Sequence, residues 1–211
     1  MKSEDQWFLD KLELDYGDKG ALNRLKKLAG EIDWLLGWPS NKRAFWNGEA
    51  FMWRNKIDKR KRGIIEKELS FLEGKKNLDL GCGAYSYVTS TGFDISEKML
   101  QLNEELISYV VGDLEEKLPL KDSSFSAVTM VFVLNYVLDY WNLLKEVSRV
   151  LKKRGQLVVV QSAQEVNEWQ RQKVVQRMNF SRWQEVLEKV GFSVKFYEKE
   201  GLGFFKCVKS K

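Results

Sequence analysis

Leu78-Asp79-Leu80-Gly81-Cys82-Gly83 places an acid inside a short apolar run and two glycines in the turn that leaves it. A turn without β-carbons lets a ligand lie against the backbone. Asp94 closes the next apolar run, GFDIS, where a carboxylate can accept both hydroxyls of a ribose. Asp113 closes a third run, YVVGD. One acid alone would read as a helix cap or a solvated turn; three at successive strand ends point to one ligand laid across them. The chain has no histidine, which removes the serine–histidine and cysteine–histidine hydrolases and the commonest metal ligand. Its two cysteines, Cys82 and Cys207, cannot build a disulfide framework or a cysteine zinc site, so no metal is expected.

Such acids need strands behind them. From Lys76 onward the pattern alternates between strand and helix: NLDLG, GFDIS, YVVGD, SAVTMVFV and QLVVVQS read as strands. Between them, SEKMLQLNEELI reads as a helix capped by Ser96, and YWNLLKEVSRVLKKRG as a helix with an apolar stripe at Leu143, Leu144, Val147, Val150 and Leu151, closed by Gly155. A polar helix is expected around 164–178, then one from a Ser181–Gln184 capping box to Gly191. FSVKFYEK and FFKCVKSK, joined by a glycine turn, read as an antiparallel pair. The expectation is an α/β fold: a doubly wound, mostly parallel, seven-stranded Rossmann-like sheet with an antiparallel C-terminal pair and an N-terminal helical extension.

In such a sheet the ligand crosses the carboxyl ends of the strands. The segment 84–93 is short for a parallel crossover, which normally takes a dozen residues or more, so the first crossover helix must be reduced or lost. A nicotinamide fingerprint fails, because GxGxxG breaks at Ser86 and Asp94 follows Gly81 too closely.

Residues 1–75 read as a helical, tryptophan-rich lid and 76–211 as the sheet domain. Five of the eight tryptophans (Trp7, Trp34, Trp38, Trp46 and Trp53) precede residue 54, and Trp38, Trp46, Phe51 and Trp53 are candidates to stack on a flat substrate. A helix over roughly 55–73 follows. Residues 1–76 carry a net charge of +4, 77–144 of −7 and 145–211 of +8; the acidic middle suits a cationic ligand, and the basic flanks permit an anionic partner. The charged N-terminus lacks the apolar run of a signal peptide and no stretch is long and apolar enough to span a bilayer, so a cytoplasmic, membrane-free protein is expected.

LDLGCG, FDIS with EKML, VGDLEEKLPLKDSSFSAVTMVFVLNYV and LLKEVSRVLKKRGQLVVV together resemble class I S-adenosylmethionine-dependent methyltransferases, notably the ubiquinone/menaquinone-biosynthesis branch, over about Lys76 to Gln161. The resemblance implies S-adenosyl-L-methionine as cofactor: Asp79, Gly81 and Gly83 at the methionine portion, Asp94 at the ribose hydroxyls, Asp113 and Leu114 at the adenine, and Val131 to Leu134, Val131 and Phe132 foremost, as floor, with Cys82, Ile95 and Met99 also among the cofactor-binding residues. Asn135 and Tyr136 are the catalytic candidates, and Tyr85, Trp38, Trp46 and Trp53 the substrate-facing ones. Tyr85 departs from the family, which carries a small residue there. A small-molecule acceptor is favoured. The alternatives are RNA or protein methylation through the basic 54–62 segment and the C-terminal third, or a non-catalytic binding protein whose site Tyr85 plugs.

Overall fold

The computed structural model describes residues 3–163 and 171–210, without the side chains of Arg54 and Asn55. Seven strands make one sheet: β1 (Asn77–Leu80), β2 (Ser90–Asp94), β3 (Leu106–Val111), β4 (Phe125–Val131), β5 (Leu151–Ser162), β6 (Phe192–Lys199) and β7 (Leu202–Lys209). They lie in the order β3-β2-β1-β4-β5-β7-β6. The first five run parallel; β7 lies antiparallel to both β5 and β6. The strand order turns around between β1 and β4, where the carboxyl ends open a crevice.

Side-chain alternation along β4, β5 and β7 builds two cores. Val128, Met130, Leu157, Val159, Phe205 and Cys207 face α6 (Tyr140–Val150) and α7 (Phe180–Val190), which contribute Leu143, Leu144, Val147, Trp183 and Leu187. Ala127, Val158, Val160, Leu202 and Phe204 point to the other face, covered by Ile65, Leu69 and Leu72 from α4 (Lys59–Leu69) and the turn after it. Glu68 of α4 fastens this layer by accepting from the Tyr197 hydroxyl and pairing with Lys199 and Lys206. Three further helices precede it: α1 (Ser3–Asp15), α2 (Ala21–Ala29) and α3 (Lys42–Lys56), around a cluster of Trp7, Leu25, Leu35, Trp38 and Phe45.

Several expected boundaries move. The helix expected over 55–73 begins only at Lys59, because residues 55 and 56 end α3 and Asp58 caps α4 by accepting from the amides of Arg60 and Lys61; it gives way to a 3-10 turn at Ser70–Leu72. Ser96 does cap a helix, accepting from the Met99 amide, but α5 (Glu97–Leu102) stops early because the chain from Leu106 pairs with β2. The helix α6 ends at Val150 and β5 begins at once; Phe125 pairs with Leu151 and Ala127 with Gln156, so Lys152 to Gly155 bulge out of register with Arg154 at φ 59°. Gly155 therefore sits in a bulge and does not close a helix. Asn179, not Ser181, caps α7, accepting from the Arg182 amide. Of the helix expected over 164–178, residues 164–170 lie outside the described residues, and 174–179 carry no regular element.

The crossover helix between β1 and β2 is absent, as the shortness of the connection required. Residues 81–89 pass from β1 to β2 with no helix. Asn103 braces that loop: its Nδ2 donates to the Gly83 carbonyl at 3.0 Å and to Ser86 Oγ at 3.1 Å, and its Oδ1 accepts from the Ser86 amide at 3.3 Å. On β3, Ile107 and Tyr109 stand exposed.

Candidate functional site

The crevice between β1 and β4 is a cleft of about 570 Å³, counting its open mouth. Gly81, Gly83, Asp94, Ile95, Met99, Asp113, Leu114, Val131 and Phe132 all line it, so nine of the eleven residues expected around the cofactor come together there. Asp79 and Cys82 do not. They line a smaller annexe of about 260 Å³, which shares Trp53, Gly81, Val131 and Phe132 with the cleft.

The glycine turn has a local cause. Gly81 and Gly83 hold φ of +64° and +57°, a region where a side chain is strained. A β-carbon on Gly81 would lie 2.8 Å from Val133 Cγ2, and one on Gly83 would lie 2.5 Å from Trp53 Nε1. The chain's own side chains thus use the closeness that the glycines permit, and the Trp53 indole rests on Gly83.

Asp94 is buried, and its two oxygens accept from the Gly83 amide at 2.9 Å and the Ser96 amide at 2.8 Å. These bonds fix the carboxylate while leaving lone pairs for a further donor. Burial pushes its carboxyl up to about 6, against the pull of those amides. Asp79, accepting from Thr129 Oγ1 at 2.7 Å, is likewise pushed up to about 6 by burial, with the charge of Asp94 adding to it. Burial, and then the same two carboxylates, raise the Cys82 thiol well above its ordinary value, so it stays a protonated, inert group. Asp113 accepts from the Glu115 amide at 3.0 Å and pairs with Lys42 at 2.7 Å.

Helix α3 supplies the opposite wall. Asn41 caps it, and Lys42, Trp46 and Trp53 enter the cleft. Trp46 meets Trp53 edge-on at 6.0 Å and Tyr136 at 5.1 Å. Asn47, buried, accepts from Ser96 Oγ at 2.8 Å and donates to the Trp34 carbonyl, joining α3 to the cap of α5. Below it, buried Glu49 holds Lys11 at 3.0 Å and Lys56. Burial alone would raise the Glu49 pKa, but the two ammonium groups hold it below the usual carboxylate range.

Three expected substrate-facing residues are corrected by this geometry. Trp38 is 5% exposed, packed edge-on against Trp7 at 4.8 Å inside the helical cluster, because the chain turns into α3 only after it. Phe51 faces outward beside Phe8 and Trp34, on the side of α3 opposite Trp46 and Trp53. Tyr85 lines the annexe, not the cleft: its hydroxyl bonds Glu66 and its ring lies 4.4 Å from the Arg62 guanidinium, which draws it toward α4. Of the catalytic candidates, Tyr136 lines both the cleft and a second cavity of about 720 Å³, and Asn135 lines only that second cavity, alongside Gln161 and Gln176. Phe132, at φ +59° and with its amide bonded to the Val160 carbonyl, borders all three spaces. Val133, expected in the floor, lines the cleft while Leu134 beside it is buried in the core; Lys42 and Val137 also line the cleft, and no sequence motif marked them. An Asn cap just before Lys42 was a legible signal for the start of α3, but nothing pointed to its partner 71 positions away.

Residues 78–159 match the family model described as a methyltransferase domain. The demethylmenaquinone methyltransferase of Staphylococcus aureus is 36% identical over 117 residues, covering 47% of this chain and 48% of that protein. The chain thus spans about half the length of the curated relatives it matches. Among solved structures, phosphoethanolamine N-methyltransferase 2 of Haemonchus contortus in complex with S-adenosyl-L-methionine superposes with a TM-score of 0.60 at 16% identity, over 85% of this chain and 60% of that one. A methyltransferase from Mesorhizobium loti gives 0.56 at 18%, over 69% and 96%. The [4+2]-cyclase SpnF gives 0.58 at 14%, over 72% and 80%, so the fold serves more than one chemistry. Residues 78–159 thus resemble a methyltransferase domain, and the chain shares its fold with these solved S-adenosylmethionine-dependent methyltransferases.

Proposed function

We propose that the chain transfers a methyl group from S-adenosyl-L-methionine to a small-molecule acceptor. The observation that carries this reading is the convergence of Asp94, Asp113, the Gly81–Gly83 turn and the apolar Val131–Phe132 floor on one cleft. The donor set fits the group: a buried carboxylate with spare lone pairs for ribose hydroxyls, a second acid at the next strand end, and a net-negative middle third for a cationic sulfonium.

The bound group would supply an already activated methyl, so the protein's share is positioning and the exclusion of water. Asp94 orients the ribose, Asp113 and Leu114 hold the adenine, and Asp79 with the glycine turn faces the methionine portion. Trp46 and Trp53 roof the cleft. In the transfer the sulfur–methyl bond breaks as the acceptor–methyl bond forms, and the acceptor gives up a proton or arrives without it. Tyr136, on the wall common to the cleft and the second cavity, is the residue placed to face an acceptor there, with Asn135 beside it.

A small molecule is favoured over RNA because the cleft is apolar and aromatic and part of the basic segment is engaged within the chain: Lys56 holds Glu49, and Arg62 lies over Tyr85. The Staphylococcus aureus relative makes a reduced naphthoquinone the acceptor to try first. A second reading, a ligand-binding protein that does not transfer methyl groups, draws on the Trp53 indole resting on Gly83.

Incubation with methyl-labelled S-adenosylmethionine and reduced demethylmenaquinone tests the activity. Labelled product with equimolar S-adenosylhomocysteine is expected, and is lost in Asp94→Ala. Tight binding of the donor without turnover across hydroxylated naphthalenes would instead support the second reading.

A further inference from the structure

The second cavity, of about 720 Å³ with its open mouth, stands beside the cleft and shares Phe132 and Tyr136 with it as aromatic walls. It is of the size that takes a small organic ligand. Alternation along β5 sends Leu157 and Val159 into the core under α6 and α7, and the next residue on that face is Gln161, 2% exposed where an apolar side chain would be at home. Its cross-strand neighbour on β7 is Gly203, which has no side chain to pair with it.

Gln161 Nε2 donates to Asn135 Oδ1 at 3.5 Å, but Gln161 Oε1 is buried and finds no hydrogen-bond partner among the described residues. Asn135 lines the same cavity, and its Nδ2 makes no hydrogen bond among the described residues. The Asn135 carbonyl accepts from the amides of Val175 at 2.9 Å and Gln176 at 3.1 Å, which ties the segment carrying Val174 and Met178, two apolar wall residues, to the end of the sheet. Arg171 and Arg177, both exposed, also border the cavity and have interactions of their own. A buried acceptor left unpaired is costly, so a bound donor that reaches it is favoured. An oxygen that accepts beside an amide that donates is complementary to a hydroxyl, which does both. A carbonyl or an ether oxygen only accepts, and would leave Oε1 unpaired. Neither Gln161 nor Asn135 lines the cleft, so a hydroxyl held between them is a handle and the atom that takes the methyl is another one of the same molecule.

We propose that the second cavity receives part of the acceptor and that Gln161, with Asn135, selects a ring bearing a free hydroxyl remote from the methylated atom, a selection that rests on the small-molecule reading above. Gln161 then sets specificity: it touches the acceptor but not the reacting atoms.

Equilibrium dialysis with S-adenosylhomocysteine present tests this on three probes of similar shape: 1-naphthol, its methyl ether and 1,4-naphthoquinone. The unaltered chain is expected to bind 1-naphthol about tenfold or more tighter than the other two. Gln161→Leu is expected to abolish that preference by weakening 1-naphthol alone, and Gln161→Met to do the same should the leucine variant fold poorly. A glutamine that only supports the wall would lower all three together, and that result would overturn the proposal. So would equal affinities in the unaltered chain, a preference for the quinone, a preference that survives both substitutions, or transfer of labelled methyl to the naphthol hydroxyl. If the unaltered chain binds S-adenosylhomocysteine but none of the probes, this proposal alone falls; if it does not bind S-adenosylhomocysteine, the methyl-donor reading falls and takes this proposal with it.

Discussion

The two walls of the cleft are built by different rules. The sheet-side wall comes from strand ends, so a residue's place in the sequence nearly dictates its place in space: an acid that closes a parallel strand must stand at the crevice. The helical wall comes from α3, and its residues reach the cleft only through packing. Trp38 and Trp46 are eight positions apart and chemically alike, yet one is sealed in the helical cluster and the other faces the cleft. What decides between them is the Asn41 cap and the bonds of Asn47 and Glu49, which set where α3 starts and how it is rotated.

If charge pairing holds the helical wall, Glu49→Ala should produce the largest loss. It would leave the buried Lys11 and Lys56 with Asp15 as their one remaining shared carboxylate among the described residues, a change expected to cost about 3 kcal/mol. Urea unfolding measures it, and a loss under about 1 kcal/mol would mean that the wall stands on apolar packing alone.

On the sheet side, the weak point is the loop that replaces the crossover helix. Asn103→Ala removes the brace and strands the Gly83 carbonyl and the Ser86 amide, for about 2–3 kcal/mol. The same variant should bind S-adenosylhomocysteine less tightly, because the turn would no longer be held. Unchanged stability would show the loop to be held from the α4 side instead.

The pH response separates the walls further. Asp94 and Asp79 carry carboxyls pushed up to about 6, so the folded chain keeps protons that the unfolded chain loses above about 4. Their contribution to stability is therefore full below that value and declines as pH rises through 6. Ligand binding slopes the other way, since ribose hydroxyls need an ionised acceptor: affinity should rise between pH 5 and 7, by up to about tenfold. Calorimetry at both values checks this, with Asp94→Asn flattening the curve.

The smallest effect belongs to the tie between the walls. Lys42 and Asp113 are both partly exposed, so Lys42→Met should change stability by roughly 0.5 kcal/mol, and less at high salt. A larger, salt-independent change would make this pair the main latch of the helical wall.

These contrasts account for what could be read in advance. The sheet, its antiparallel end and the absent crossover helix followed from strand periodicity and spacing, and the acids and glycines at the strand ends led to Gly81, Gly83, Asp94 and Asp113, which line one cleft. The boundaries that moved did so where local signals lost to pairing or capping: Leu106 joined β2 instead of prolonging α5, and Leu151 began a strand where its helical stripe seemed to continue. Lys42, Asn47 and Asn103 stayed hidden because each acts on a partner distant in sequence, Asp113, Ser96 and Gly83 respectively. Asp79 and Cys82 were expected beside the glycine turn, and they line a smaller space next to the cleft, together with Tyr85 and Tyr87 of the loop that stands in place of a helix.

The measurement that bears most directly on the whole account is the calorimetric titration of S-adenosylhomocysteine into the purified chain and into Asp94→Ala. The account predicts micromolar binding that the substitution weakens by about tenfold or more, since Asp94 is the carboxylate on which the ribose is held. Absence of binding at millimolar ligand, or equal binding by the two chains, would contradict it.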